Sequence, residues 1–116
     1  MPHIVIEYSR ELDSSVAIDA LMQTAFDAAV ASAIMNPEDI KVRALPYAYF
    51  RLEGGATSFV HVSCRLLAGR TGEQKARLAT QLRQRLSALL PGVHSISIDV
   101  IDMDPEAYKK RLLTPT

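Results

Sequence analysis

Residues 59–67, Phe59-Val60-His61-Val62-Ser63-Cys64-Arg65-Leu66-Leu67, alternate apolar with mostly polar side chains, the period of a strand with one buried face. Just downstream, Thr71 and Gln74 have the spacing of a capping box and open a helix. Leu78, Ala79, Leu82, Leu86, Leu89 and Leu90 fall on one face of that helix, and Pro91-Gly92 ends it. From Ser95 to Asp102, Ile96, Ile98 and Val100 alternate with Ser97 and Asp99, so another half-buried strand follows. The unit is strand–helix–strand.

The same unit stands upstream. Residues 2–8, PHIVIEY, are β-branched and aromatic with few polar breaks and read as a buried strand. Ser14 and Ser15 offer N-caps for a helix to about Ile34, with Ile18, Leu21, Met22, Ala25, Ala29 and Ala33 as its apolar stripe. Asn36-Pro37 stops it, because proline disfavours helical geometry in the residue before it. Ile40 to Leu52 reads extended, Pro46 marks an edge or bulge, and Gly54-Gly55 is a turn.

An α+β fold follows, one domain over residues 1–116 with β-α-β halves at about 2–52 and 58–102. A crossover helix needs about a dozen residues or more and joins parallel strands. The expected architecture is a four-stranded mixed sheet with both helices on one face. A short last helix is expected over about 104–113, with Pro105 at its first position. The other sheet face then lacks a cover, and this composition favours burial against further subunits.

Composition excludes several functions. The 116 residues carry 13 Lys+Arg against 13 Asp+Glu, and 48% are hydrophobic. Zero net charge gives no electrostatic reason to expect nucleic acid or an acidic membrane as partner, and it does not oppose self-association. The single Cys64 excludes an internal disulfide framework and a Cys-rich zinc site. No apolar run reaches the roughly 18 residues of a membrane span. MPHIVIEYSR has no basic region ahead of an apolar stretch, so a cytoplasmic protein is expected.

The chemistry centres on Met1-Pro2. Methionine before so small a residue is normally removed, which leaves Pro2 as a free secondary amine. An α-amino group titrates near pH ~8. A prolyl amine starts higher, but apolar surroundings and cations lower it, and a base poised near neutral pH is the most efficient. The segment Met1-Pro2-His3-Ile4-Val5-Ile6-Glu7-Tyr8-Ser9 resembles the start of the 5-carboxymethyl-2-hydroxymuconate isomerases, members of the tautomerase superfamily. The likeness continues in Ile40-Lys41-Val42-Arg43, in Phe59-Val60-His61-Val62 and in Ala68-Gly69-Arg70, in order and to about residue 103.

That resemblance implies a β-α-β repeat assembled as a homotrimer. It also implies a cofactor-free keto–enol isomerisation of a dicarboxylic dienol from aromatic catabolism. Pro2 takes the role of general base and proton carrier. Arg70 matches a carboxylate-binding arginine, suited to the task by its bidentate fork and permanent charge. Where the family has arginine at two alternating positions, this chain has Lys41 and Arg43, which share a strand face. Lysine keeps the charge without the fork, which leaves room for a smaller or monocarboxylate substrate.

The remaining polar and aromatic residues read as structural. Phe59 begins its strand at the place equivalent to Pro2 and reads as a core residue. His3, His61 and His94 have no metal-ligand spacing, so no metal is expected. Cys64 reads as a small buried hydrophobe. Lys75, Arg77, Arg83 and Arg85 form a solvated helix face, and Tyr47, Tyr49 and Phe50 wall a pocket or a subunit contact. Were Met1 retained, Pro2 would hold an amide nitrogen without base strength. The same fold would then serve as a non-catalytic small-ligand-binding or oligomerisation module.

Overall fold

The computed structural model describes residues 1–113. Strand β1 (His3–Ser9) is followed by a 3-10 turn over Arg10–Ser14, helix α1 (Ile18–Ser32) and strand β2 (Lys41–Tyr47). The second half is β3 (Phe59–Leu67), α2 (Gly72–Leu89) and β4 (Ser95–Met103). The sheet order is β2-β1-β3-β4. Strands within each half are parallel, joined by their helix, and β1 meets β3 antiparallel at the centre. The expected mixed sheet is therefore two crossover units joined along an antiparallel seam.

Strand alternation decides which face carries the core. Even-numbered residues Ile4, Ile6 and Tyr8 of β1 and Val60, Val62 and Leu66 of β3 are all buried. They meet Leu21, Ala25, Ala28 and Ala29 of α1 and Leu78, Leu82 and Leu86 of α2, all fully buried. Alanines let α1 lie close, whereas α2 fills the space beside it with leucines. Truncating one of the central leucines removes buried apolar area and leaves a cavity, at a cost of about 2–5 kcal/mol. Leu82→Ala should lower the unfolding free energy by that amount, read as a lower urea midpoint at unchanged slope. A loss below about 1 kcal/mol would contradict the packing.

Local chemistry sets the element ends. The capping box of α2 forms on both sides: Gln74 N donates to Thr71 Oγ1 at 3.1 Å and Thr71 N donates to Gln74 Oε1 at 2.9 Å. Ser14 and Ser15 do not cap α1. They finish the preceding 3-10 turn, which Leu12 anchors in the core, and α1 starts later behind Ala17. Its end also comes before Asn36-Pro37. Ala33 turns left-handed at φ 60°, leaving the apolar stripe, while Ser32 Oγ donates to Ala29 O at 2.6 Å.

The extended stretch read to Leu52 pairs only to Tyr47, and Pro46 lies within β2, an edge strand. Gly54 and Gly55 turn the chain at φ 61° and 72°, which glycine adopts without Cβ strain. The helix expected over 104–113 does not form. One turn closes, with Tyr108 N donating to Asp104 O at 3.0 Å and Glu106 N to the Asp104 carboxylate at 3.0 Å. The chain then runs irregularly, with Leu112 65% and Leu113 76% exposed. Without an apolar face against the core, so short a helix is marginal.

Among the described residues, no helix covers the odd-numbered sheet face. It mixes charge with apolar surface: Glu7 accepts from Tyr47 Oη at 2.6 Å, Leu45 is half exposed, and His61 Nδ1 and Ser97 Oγ share a hydrogen bond of 2.7 Å.

Candidate active site

The chain reaches the sheet through a buried Pro2. Having no N–H of its own, Pro2 joins the ladder through its carbonyl, which accepts from Lys41 N at 3.1 Å. Parallel pairing of β1 with β2 therefore sets Lys41 beside the amino terminus. Its Nζ stands 3.7 Å from Met1 Sδ.

Arg70 reaches the same corner from the β3–α2 connection, after Gly69 at φ 137°. Its Nε and Nη2 donate to Ile34 O at 3.0 and 2.9 Å, and its Nη1 donates to Leu67 O at 3.1 Å. Three of its five N–H donors brace the chain beyond α1 against the end of β3, and two remain for a ligand.

The electrostatics follow from this gathering. Burial lowers the pKa of the Met1 amine from 8.0, and Lys110, Arg70 and Lys41 lower it further, against the raising influence of Asp39. Of the residues read from sequence, Pro2, Lys41 and Arg70 thus stand in one environment. Arg43, one face-repeat further along β2, turns to His3, whose Nδ1 accepts from Arg43 Nη1 at 3.2 Å. Asp39 and Lys110 were not legible as neighbours of the amine. Asp39 closes a short turn before β2, and Lys110 arrives with the irregular carboxy-terminal segment.

Phe59 does not occupy the place equivalent to Pro2. Ser58 does: Ser95 N donates to Ser58 O at 3.3 Å in the second half, as Lys41 N does to Pro2 O in the first. Even-numbered residues of both strands face the helices, so the equivalence must preserve parity. Phe59 instead packs in a cluster with Phe50 and Tyr47, at ring distances of 5.0 and 6.2 Å.

Cys64 is fully buried and its thiol is pushed up to about 12 by loss of hydration. It should resist a thiol reagent in the folded protein and react on denaturation. Rapid labelling under native conditions would contradict this burial. Among the described residues, no group of three or more His, Cys, Asp and Glu could hold a metal ion.

Comparison with solved structures shows the fold. A 5-carboxymethyl-2-hydroxymuconate delta-isomerase superposes with a TM-score of 0.79 at 22% identity, over 97% of this chain and 88% of that one. A 5-carboxymethyl-2-hydroxymuconate isomerase from Deinococcus radiodurans R1 gives 0.82 at 22% identity, over 95% and 88%. A fused 4-OT, described as a symmetric trimer, gives 0.69 at 26% identity, over 89% and 85%. No curated protein matches the chain at comparable stringency. The family model for 5-carboxymethyl-2-hydroxymuconate isomerase matches residues 2–111, almost the whole chain and every strand and helix described above. The protein therefore belongs to the 5-carboxymethyl-2-hydroxymuconate isomerase family and is an isomerase of the tautomerase superfamily.

Proposed function

We propose that the protein, once Met1 is removed, converts a hydroxymuconate-type dicarboxylic dienol to its keto isomer with Pro2 as the general base. The observation that carries this reading is the buried Pro2 beside Lys41, whose N–H it accepts at 3.1 Å, where burial and the charges of Lys110, Arg70 and Lys41 lower the pKa of the adjoining Met1 amine. An amine in such surroundings holds its proton weakly and acts as a base at neutral pH. The same cations attract a dianionic substrate. The prolyl nitrogen takes the enol proton and returns a proton to a carbon of the conjugated system. No electron or group changes hands, so positioning and acid–base catalysis suffice.

Arg70 binds one carboxylate with its two spare N–H groups, and Lys41 binds another as a point charge. Arg43 is the weaker candidate for direct contact, because its guanidinium is engaged with His3. A homotrimer would cover the helix-free sheet face with its charged and apolar side chains. The symmetric trimer described for the fused 4-OT supports that assembly. Light scattering tests it, and a stable monomer would contradict it.

The central test pairs intact mass with ketonisation of 2-hydroxymuconate followed by absorbance. Loss of Met1 together with turnover is expected, and an unprocessed, inactive protein would overturn the reading. The pH profile gives a second check. Because the base acts unprotonated, kcat/KM should rise with pH through the pKa of the amine. Lys41 lowers the pKa of the Met1 amine, and at the prolyl amine next to it Lys41→Met should move the inflection to higher pH. An unmoved inflection would separate Lys41 from the base.

A further inference from the structure

His3 follows Pro2 directly, and its ring is held at both nitrogens. Arg43 Nη1 lies 3.2 Å from Nδ1, and the hydroxyl of Tyr108 lies 2.8 Å from Nε2. Arginine has donors only and keeps its charge, so Nδ1 must accept. The ring hydrogen of a neutral imidazole then sits on Nε2 and is donated to Tyr108 Oη. Tyr108 accepts there, which leaves its own O–H free to donate elsewhere.

We propose that Tyr108, delivered by the carboxy-terminal segment, is a substrate-contacting hydrogen-bond donor of the Pro2 site, with His3 and Arg43 as its positioning residues. The proposal rests on the reading of Pro2 as the base. Three observations carry it. The Tyr108 and His3 rings pack edge to face with centroids 5.7 Å apart, which fixes the phenol beside the first residue of β1. Lys110, two residues further along the segment, lowers the pKa of the Met1 amine, so this stretch of chain lies near the amino terminus. Burial, Arg43, Lys41, the amino terminus and Arg65 all lower the pKa of His3, which keeps the ring neutral and the donor pattern intact at neutral pH. The free O–H is thus a neutral donor among cations, suited to a carboxylate oxygen of the substrate. Arg43 acts through the imidazole rather than on a carboxylate.

Kinetics of 2-hydroxymuconate ketonisation by the full chain test the relay. Tyr108→Phe should lower kcat/KM by about 10- to 100-fold, the range for a hydrogen bond to a charged group. His3→Leu should lose a similar factor. His3→Gln, whose amide can accept from Arg43 and donate to Tyr108, should stay within about threefold of wild type. The Tyr108→Phe/His3→Leu double variant should be no worse than either single, as for residues acting in one chain of contacts. A Tyr108→Phe enzyme within twofold of wild type overturns the proposal, as does His3→Gln no better than His3→Leu. Binding of muconate, a dicarboxylate without the enol, separates this proposal from the assignment of Pro2. By titration calorimetry, Tyr108→Phe should weaken muconate about fivefold or more even if the wild type fails to turn over 2-hydroxymuconate. Equal affinities, or no binding to the wild type, would overturn it.

Discussion

Replacing Pro2 by alanine should reduce kcat for 2-hydroxymuconate by about 10²-fold or more, with a much smaller change in KM. General acid–base catalysis contributes 10²–10⁴-fold, and this substitution keeps a chain-terminal nitrogen while removing the ring that orients it. The backbone contact survives, because the bond to Lys41 N uses the carbonyl of residue 2 and not its nitrogen. Lys41, Arg70 and Lys110 also remain, so the substrate is still attracted and held. A fall in kcat at near-constant KM is the signature of a group that works in the transition state. Intact mass must confirm that both proteins have lost Met1. A processed Pro2→Ala variant within threefold of wild type would remove Pro2 from the mechanism.

Arg70→Ala carries the second large effect, and it should appear in two measurements at once. Three of its N–H groups are committed to Ile34 O and Leu67 O, so their loss frees the chain beyond α1 from the end of β3. At about 0.5–1.5 kcal/mol net for each hydrogen bond, folding stability should fall by roughly 2–4 kcal/mol. Substrate affinity should fall by about 10- to 100-fold for dicarboxylates, through loss of a charge-assisted carboxylate contact. Monocarboxylates should suffer less, since they have only one group to anchor. Equal losses for both substrate types would leave Arg70 as a brace and nothing more. Urea unfolding and KM values on the same preparation separate the two roles.

Period and turn chemistry were enough to read β1, β3, β4 and α2, because each buries one face and alternates or repeats accordingly. The capping box at Thr71 and Gln74 is local, so its geometry followed from spacing alone. The start of α1 did not, because Leu12 docks into the core and draws Ser14 and Ser15 into a separate turn. The carboxy-terminal segment misled for a related reason: Pro105 opens a turn, but no apolar face continues it into a helix. Of the proposed site, Pro2 and Arg70 were suggested by a resemblance rather than by any rule of spacing. Lys41 and Arg43 were equal by sequence, and only the neighbours of each on β1 separate them. Tyr108 and Lys110 had no signal, since their placement depends on long-range contacts of an irregular segment, such as that of Tyr108 with His3.

The antiparallel seam between β1 and β3 has a stoichiometric consequence. It relates the halves by a local two-fold axis, so each chain contains two geometrically matched strand mouths, at Pro2 and at Ser58. Only the first can expose an amine, because Ser58 has peptide bonds on both sides. The second mouth is closed by local bonding, with Ser58 Oγ accepting from His94 N at 2.9 Å and Phe59 N donating to Ser9 Oγ at 3.1 Å. Once Met1 is removed, the doubled scaffold thus offers a single prolyl amine. An electrophile that captures the prolyl nitrogen should saturate at one adduct per polypeptide, half the number its repeated architecture would offer.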